Sequence, residues 1–232
     1  MKILFFLSVS AWAQIEQPQL GTMLDRAGDA RPVLGVSASV TLGTAVATEV
    51  VSMACSRRWC IASTAAGLVS WGNGRQWRSE APAGTAVFAF SGDSAYVYSS
   101  GQLAKWREGT RELVGVDVSG EILSMRVVDG ALEFAVRRDD GTWIVRDGNA
   151  IAAALPKATG PVMLLDRAVL FATDDAVILR RTDASEMRFP AAGAESFVVM
   201  GDGLVQIRAR DANYALRIEA GREKLFLLPE IQ

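Results

Sequence analysis

The sequence predicts an all-β chain folded as a β-propeller of five or six blades, with about 36 residues in each four-stranded repeat. Three observations predict it. Short segments of alternating apolar residues recur at a near-constant interval, and turn residues punctuate the chain between them. Outside the N-terminal leader, no stretch has the apolar period of a helix.

The chain begins "MKILFFLSVSAWAQ", in which Lys2 precedes an apolar run and Ala11-Trp12-Ala13 forms a small-x-small cleavage site. This predicts a signal peptide over 1–13 and places the mature protein outside the cytoplasm, secreted or periplasmic. The run is too short to span a bilayer, which takes about 20 residues. A polar linker over 14–19 follows, and then a single propeller domain over 20–232. Its first part, 20–49, reads as an extra N-terminal strand pair. There "GTMLDRAGDA" (21–30) matches "GTWIVRDGNA" (141–150) at Gly, Thr, Arg, Gly and Ala, as third and fourth strands of a blade would.

The regular repeats cover approximately 50–83, 84–119, 120–159, 160–193 and 194–230. Their most constant element is the second strand: "WCIAS", "AYVYS", "LEFAV", "VLFAT" and "VQIRA". These centre on Ile61, Val97, Phe134, Phe171 and Ile207, so the intervals are 36, 37, 37 and 36 residues. An apolar run precedes each by about ten residues, as in "VVSMA" and "AVFAF", and a third segment such as "GLVSW" or "GQLAKW" follows. A fourth, "RQWRSE" in the first case, ends the unit. Period-two alternation is what a strand with one buried face requires. The intervening "GNG", "SGD" and "DDG" supply turn residues. A sandwich or barrel also has many short strands, but nothing in it demands four equal intervals.

Cys55 and Cys60 are the two cysteines of the chain, and "SRRW" lies between them. In an oxidising compartment an even count favours a disulfide, and a turn over 56–59 brings the two side by side on paired strands. No metal site is expected, because neither histidine nor further cysteine is present to complete one. The absence of histidine also excludes Ser-His and Cys-His nucleophilic chemistry. The formal net charge is −2 and no run of Lys or Arg exceeds two, so nucleic acid is not an expected partner.

The pattern resembles the secreted β-propeller repeat proteins in repeat length and strand order across 20–230. The Gly-His and Trp-Asp pairs of the WD40 class are missing. "RDDGTWIV" (138–145) is similar to the Asp-box of sialidase-type propellers, Ser-x-Asp-x-Gly-x-Thr-Trp. It lacks the residue between Gly and Thr, has Arg138 near the serine position and occurs once, so no functional residue follows from that likeness.

Function in a propeller belongs to its loops, and the second-to-third-strand loops emerge with the blade connections at one end. Three of these loops carry charge: "RRDDG", "TDDA" and "RARDAN". They offer Arg137, Arg138, Asp139, Asp140, Asp174, Asp175, Arg210 and Asp211 as a candidate binding face, with Arg208 beside them. Carboxylates and guanidiniums around one opening suit a protein or glycan partner. The sequence therefore predicts a non-catalytic binding or assembly module with no cofactor. Two other classes compete: a carbohydrate-active hydrolase using loop carboxylates, and a propeller bearing a pyrroloquinoline-type cofactor. Of the tryptophans, Trp71 and Trp106, near third-strand ends, are expected to be more exposed than Trp59.

Overall fold

Alternation forces each segment to bury every second side chain, and a short strand can do that only against another sheet. The computed structural model describes residues 18–36, 39–146, 150–201, 203–219 and 221–230. The expected signal peptide, 1–13, and most of the expected linker, residues 14–17, lie outside these, as does most of the turn at 146–149. The described chain forms six antiparallel sheets arranged as a six-bladed β-propeller. Blade 1 contains β1 (Gln19–Leu24), β2 (Ala30–Val36) and β3 (Ser39–Leu42). Blade 2 contains β4 (Val50–Cys55), β5 (Cys60–Thr64), β6 (Gly67–Gly72) and β7 (Arg75–Ser79). Blade 3 follows with β8 (Ala86–Ser91), β9 (Ser94–Ser99), β10 (Gln102–Arg107) and β11 (Thr110–Val114). Blade 4 has β12 (Glu121–Val128), β13 (Ala131–Arg138), β14 (Gly141–Arg146) and β15 (Ala150–Ala154). Blade 5 has β16 (Val162–Leu165), β17 (Ala168–Ala172), β18 (Val177–Arg181) and β19 (Glu186–Phe189). Blade 6 has β20 (Ala194–Gly201), β21 (Leu204–Ala209), β22 (Asn213–Arg217) and β23 (Lys224–Leu227).

The repeat centres Ile61, Val97, Phe134, Phe171 and Ile207 all lie in second strands and are at most 5% exposed. They pack between blades: each of the six seams holds one apolar cluster. Full burial of such a side chain stabilises by about 1.5–3 kcal/mol, so the seams, rather than a central core, hold the ring.

A second period underlies the first. The inner strands of blades 2, 4 and 6 each shift register just before a serine: Ser52, Ser124 and Ser196. Ser52 Oγ accepts the Ala86 N–H at 2.8 Å and Ser124 Oγ accepts the Leu164 N–H at 2.9 Å, each tying its blade to the next. Beyond Ser196 the next blade is blade 1, which has three strands. The described residues provide no inner strand there.

The blade number is six, the upper of the two counts expected. Blade 1 corrects two other expectations: residues 20–49 hold three strands rather than a pair, and those strands take other positions in the blade. The β1–β2 turn sits at the end of the ring that carries the second-to-third-strand loops, since Arg26 donates to Arg210 O at 3.2 Å and Val50 N–H to Gly28 O at 2.8 Å. β1 and β2 therefore take second- and third-strand positions, not third and fourth. The matched residues reflect a shared turn chemistry, which occurs at both ends of a blade.

With no inner strand among the described residues, blade 1 is held by its neighbours. Gln206 from β21 presents its amide to Leu24, accepting from the backbone N–H at 2.9 Å and donating to the carbonyl at 2.8 Å. That side chain replaces one rung of a missing ladder.

Tryptophan placement also differs from expectation. Trp106 is 2% exposed, because alternation along β10 turns it into the seam with blade 2. There it donates to Ser79 Oγ at 3.3 Å, and its ring lies 5.3 Å from that of Trp59. Trp59 also meets Phe90 edge-on at 4.9 Å.

Candidate binding face

The two ends of the ring differ in what their turns join. The loop end carries the blade connections with the second-to-third-strand loops. The hairpin end carries the first-to-second and third-to-fourth turns. All eight predicted face residues lie at the loop end, on blades 4, 5 and 6.

Their side chains do not converge on one point. Arg137 donates to Gly160 O at 2.7 Å and lies 3.8 Å from Glu121. Arg138 donates to Ser119 O at 3.1 Å. These guanidiniums tie the β13–β14 loop to the connections on either side. Gly120 makes the approach possible: its φ is +108°, and a Cβ there would lie 2.6 Å from Arg137 O. Arg210 contributes its backbone, with its N–H on Gly193 O at 3.2 Å and its carbonyl accepting from Arg26. Arg137 and Arg138 are thus held on the scaffold by their guanidiniums, whereas the exposed Arg210 joins it only through its backbone.

The aspartates stay outside. Asp139, Asp140, Asp174, Asp175 and Asp211 are all exposed. Asp140 accepts from Trp143 Nε1 at 2.9 Å, which fixes the turn before β14. Asp175 accepts from the Thr173 hydroxyl at 2.9 Å and pairs with Arg188. The Thr173 hydroxyl and the Arg188 guanidinium hold the Asp175 carboxyl below its usual range, so it stays ionised well into acid. Among the described residues, Asp139, Asp174 and Asp211 have no hydrogen-bond or ion-pair partner.

Asp174 and Asp175 border an open groove of about 770 Å³ on blade 5, floored by Ile178 and flanked by Lys157, Glu186 and Arg188. Arg180, with Lys157 beside it, pulls the Glu186 carboxyl below its ordinary range. A smaller groove, about 330 Å³, lies between blades 1 and 2 with Glu49 and Glu80 at its edge. Glu49 has φ +55°, a left-handed conformation. Sequence reasoning missed Lys157, Arg188, Glu49 and Glu80. They reach the loop end from connections and fourth strands, where no local signal distinguishes them from any solvent-facing charge. No group of three or more His, Cys, Asp or Glu that could hold a metal ion occurs among the described residues. No helix among them is long and apolar enough to cross a membrane.

No protein-family model matches the chain, and no curated protein does. Solved structures do. The nidogen/laminin complex contains a chain similar over 90% of this one and 93% of its own length, at TM-score 0.55 and 11% identity. PorZ of Porphyromonas gingivalis, described as an essential bacterial surface component of the type IX secretion system, matches 92% of this chain at TM-score 0.52 and 12% identity. This chain spans 38% of PorZ. Virginiamycin B lyase from Staphylococcus aureus matches 93% of this chain and 86% of its own, at TM-score 0.50 and 10% identity. A binding partner of laminin or nidogen, a secretion component and a lyase share this architecture, so the likeness is one of fold.

Proposed function

We propose that the protein is an exported β-propeller that binds a protein partner through its loop end, without chemistry of its own, and that the partner contributes a cationic segment. One observation carries this reading. At the loop end, Arg137 and Arg138 are folded onto backbone carbonyls while Asp139, Asp174 and Asp211 remain exposed and unpaired. On blades 4 and 5 the unpaired loop charge that remains is negative, while on blade 6 the exposed Arg210 stands next to Asp211. A surface of that kind attracts and orients Lys- or Arg-rich partners, and its attraction weakens with salt. Export is supported by the leader sequence, by the Cys55–Cys60 disulfide and by the surface role of PorZ.

The test is an array of short peptides, Lys/Arg-rich against Asp/Glu-rich, probed with the labelled full chain at low and high salt. Retention on the basic set, falling severalfold as salt rises, is expected. Equal retention on both sets would contradict the reading. A glycan-cleavage screen on the same preparation addresses the hydrolase alternative, which needs one carboxyl raised toward the working pH as the acid.

A further inference from the structure

The disulfide occupies an unusual place. Cys55 and Cys60 face each other at the end of the β4–β5 hairpin, joined by a bond that closes the turn Ser56–Trp59. Read alone, it is a local staple. Both cysteines are nonetheless buried, 2% and 8% exposed, in the apolar cluster of the seam between blades 1 and 2. That cluster also takes Leu24 and Ala30 from blade 1 and Val198 from blade 6, so residues of three blades share it. Cys60 Sγ lies 3.8 Å from Thr22 Oγ1 in β1.

This is also where the ring closes. Blade 1 has no inner strand among the described residues, and the ends of β20 and β4 come together in its place. A Cβ on Gly201 would lie 3.4 Å from Ser56 O, and one on Gly21 would lie 2.6 Å from Met200 O. The hairpin tip that the bridge holds therefore forms one side of the seat of β1 at the hairpin end, and Met200 of blade 6 forms the other. At the other end β1 is anchored independently, by Gln206 on Leu24 and by Val50 N–H on Gly28 O.

We propose that the Cys55–Cys60 disulfide is a redox latch on ring closure, whose reduction releases blade 1 as a unit. A dithiol reductant breaks the S–S bond, supplies two electrons and two protons to form the two thiols, and leaves as its own cyclic disulfide. The freed hairpin end then loses one constraint on its shape, and Thr22 loses the surface it packs on. Closure is completed only where an oxidant accepts two electrons and two protons from the thiols.

Hydrogen exchange read by mass spectrometry on the full chain, with and without a dithiol reductant, tests this. Reduction is expected to speed exchange about tenfold across 19–42 as well as 50–64, with 162–181 in blade 5 unchanged. A Cys55→Ala, Cys60→Ala variant should show the fast pattern already and ignore the reductant. Acceleration confined to 50–64 would make the bridge a local staple and overturn the latch. No change, or uniform acceleration of all blades, would overturn it too. Should the variant fail to fold, the wild-type pair of measurements decides alone.

Discussion

The two ends of the propeller use the same residue types for opposite purposes. At the hairpin end two carboxylates are buried and clamped, while Asp93, Glu108, Asp129 and Asp166 are exposed. Glu133 has a side chain 1% exposed and is held between Arg126 and Arg146, while Arg126 also donates to Leu165 O in the next blade. Glu223, 2% exposed, is held by Arg181 from blade 5. At the loop end Arg137 and Arg138 lie against carbonyls and Asp139, Asp174 and Asp211 face water, although Asp25 in the β1–β2 turn is buried and clamped by Arg31. Charges that join blades must be satisfied inside the protein, whereas charges that meet a partner must be left unsatisfied by it. On the proposed reading, the difference separates the clamped seams of the hairpin end from a recognition face at the loop end.

The largest effect should come from breaking the clamp. Glu133→Gln leaves the mostly buried Arg126 without its counter-ion, and removing one partner of a buried pair costs about 3–5 kcal/mol. Urea unfolding should show that loss. A change below about 1 kcal/mol would mean that the triad is a surface feature and that the two ends do not differ in kind. The disulfide comes next: Cys55→Ala with Cys60→Ala should lower stability by about 2 kcal/mol, the chain-entropy value for so short a loop, and still permit folding.

Both effects concern parts of the fold with different legibility in the sequence. The five regular blades were readable because Ile61, Val97, Phe134, Phe171 and Ile207 each serve the same seam geometry, and burial repeats with the chain. The bridge was readable from spacing. Blade 1 was not, because what completes it comes from elsewhere: Gln206 is far along the chain from Leu24, and only the fold brings them together. The candidate face was legible as a set of loops. Which of its charges would remain free was not, since that depends on carbonyls at Gly160 and Ser119 in neighbouring connections.

The next expectation, smaller again, concerns pH. With no histidine, stability should be nearly flat from pH 8 to 6. Glu223, Glu186, Asp175 and Asp183 are all held below their ordinary carboxyl range, by Arg181, Arg180, Thr173 and Ser185 respectively. A folded pKa below the unfolded one stabilises fully above the unfolded value and is lost as pH falls through the folded one. Thermal scans should therefore show the melting temperature dropping only below about pH 4. A step between pH 6 and 8 would reveal a strongly raised carboxyl and favour the hydrolase reading.

The smallest effect on stability and the largest on recognition should come from the same substitution set. Asp139→Asn, Asp140→Asn, Asp174→Asn and Asp211→Asn together alter exposed groups, so each should change stability by at most about 0.5 kcal/mol. A matched control makes the same charge change at the hairpin end, with Asp93→Asn, Glu108→Gln, Asp129→Asn and Asp166→Asn. The decisive measurement is the affinity of both variants and the wild type for a fluorescent oligo-arginine peptide at fixed salt. Loss of about tenfold or more in the loop-end variant, with the hairpin-end variant close to wild type, is the predicted result. Equal weakening of both variants would reduce the effect to net charge, and no weakening in the loop-end variant would contradict a recognition face at that end.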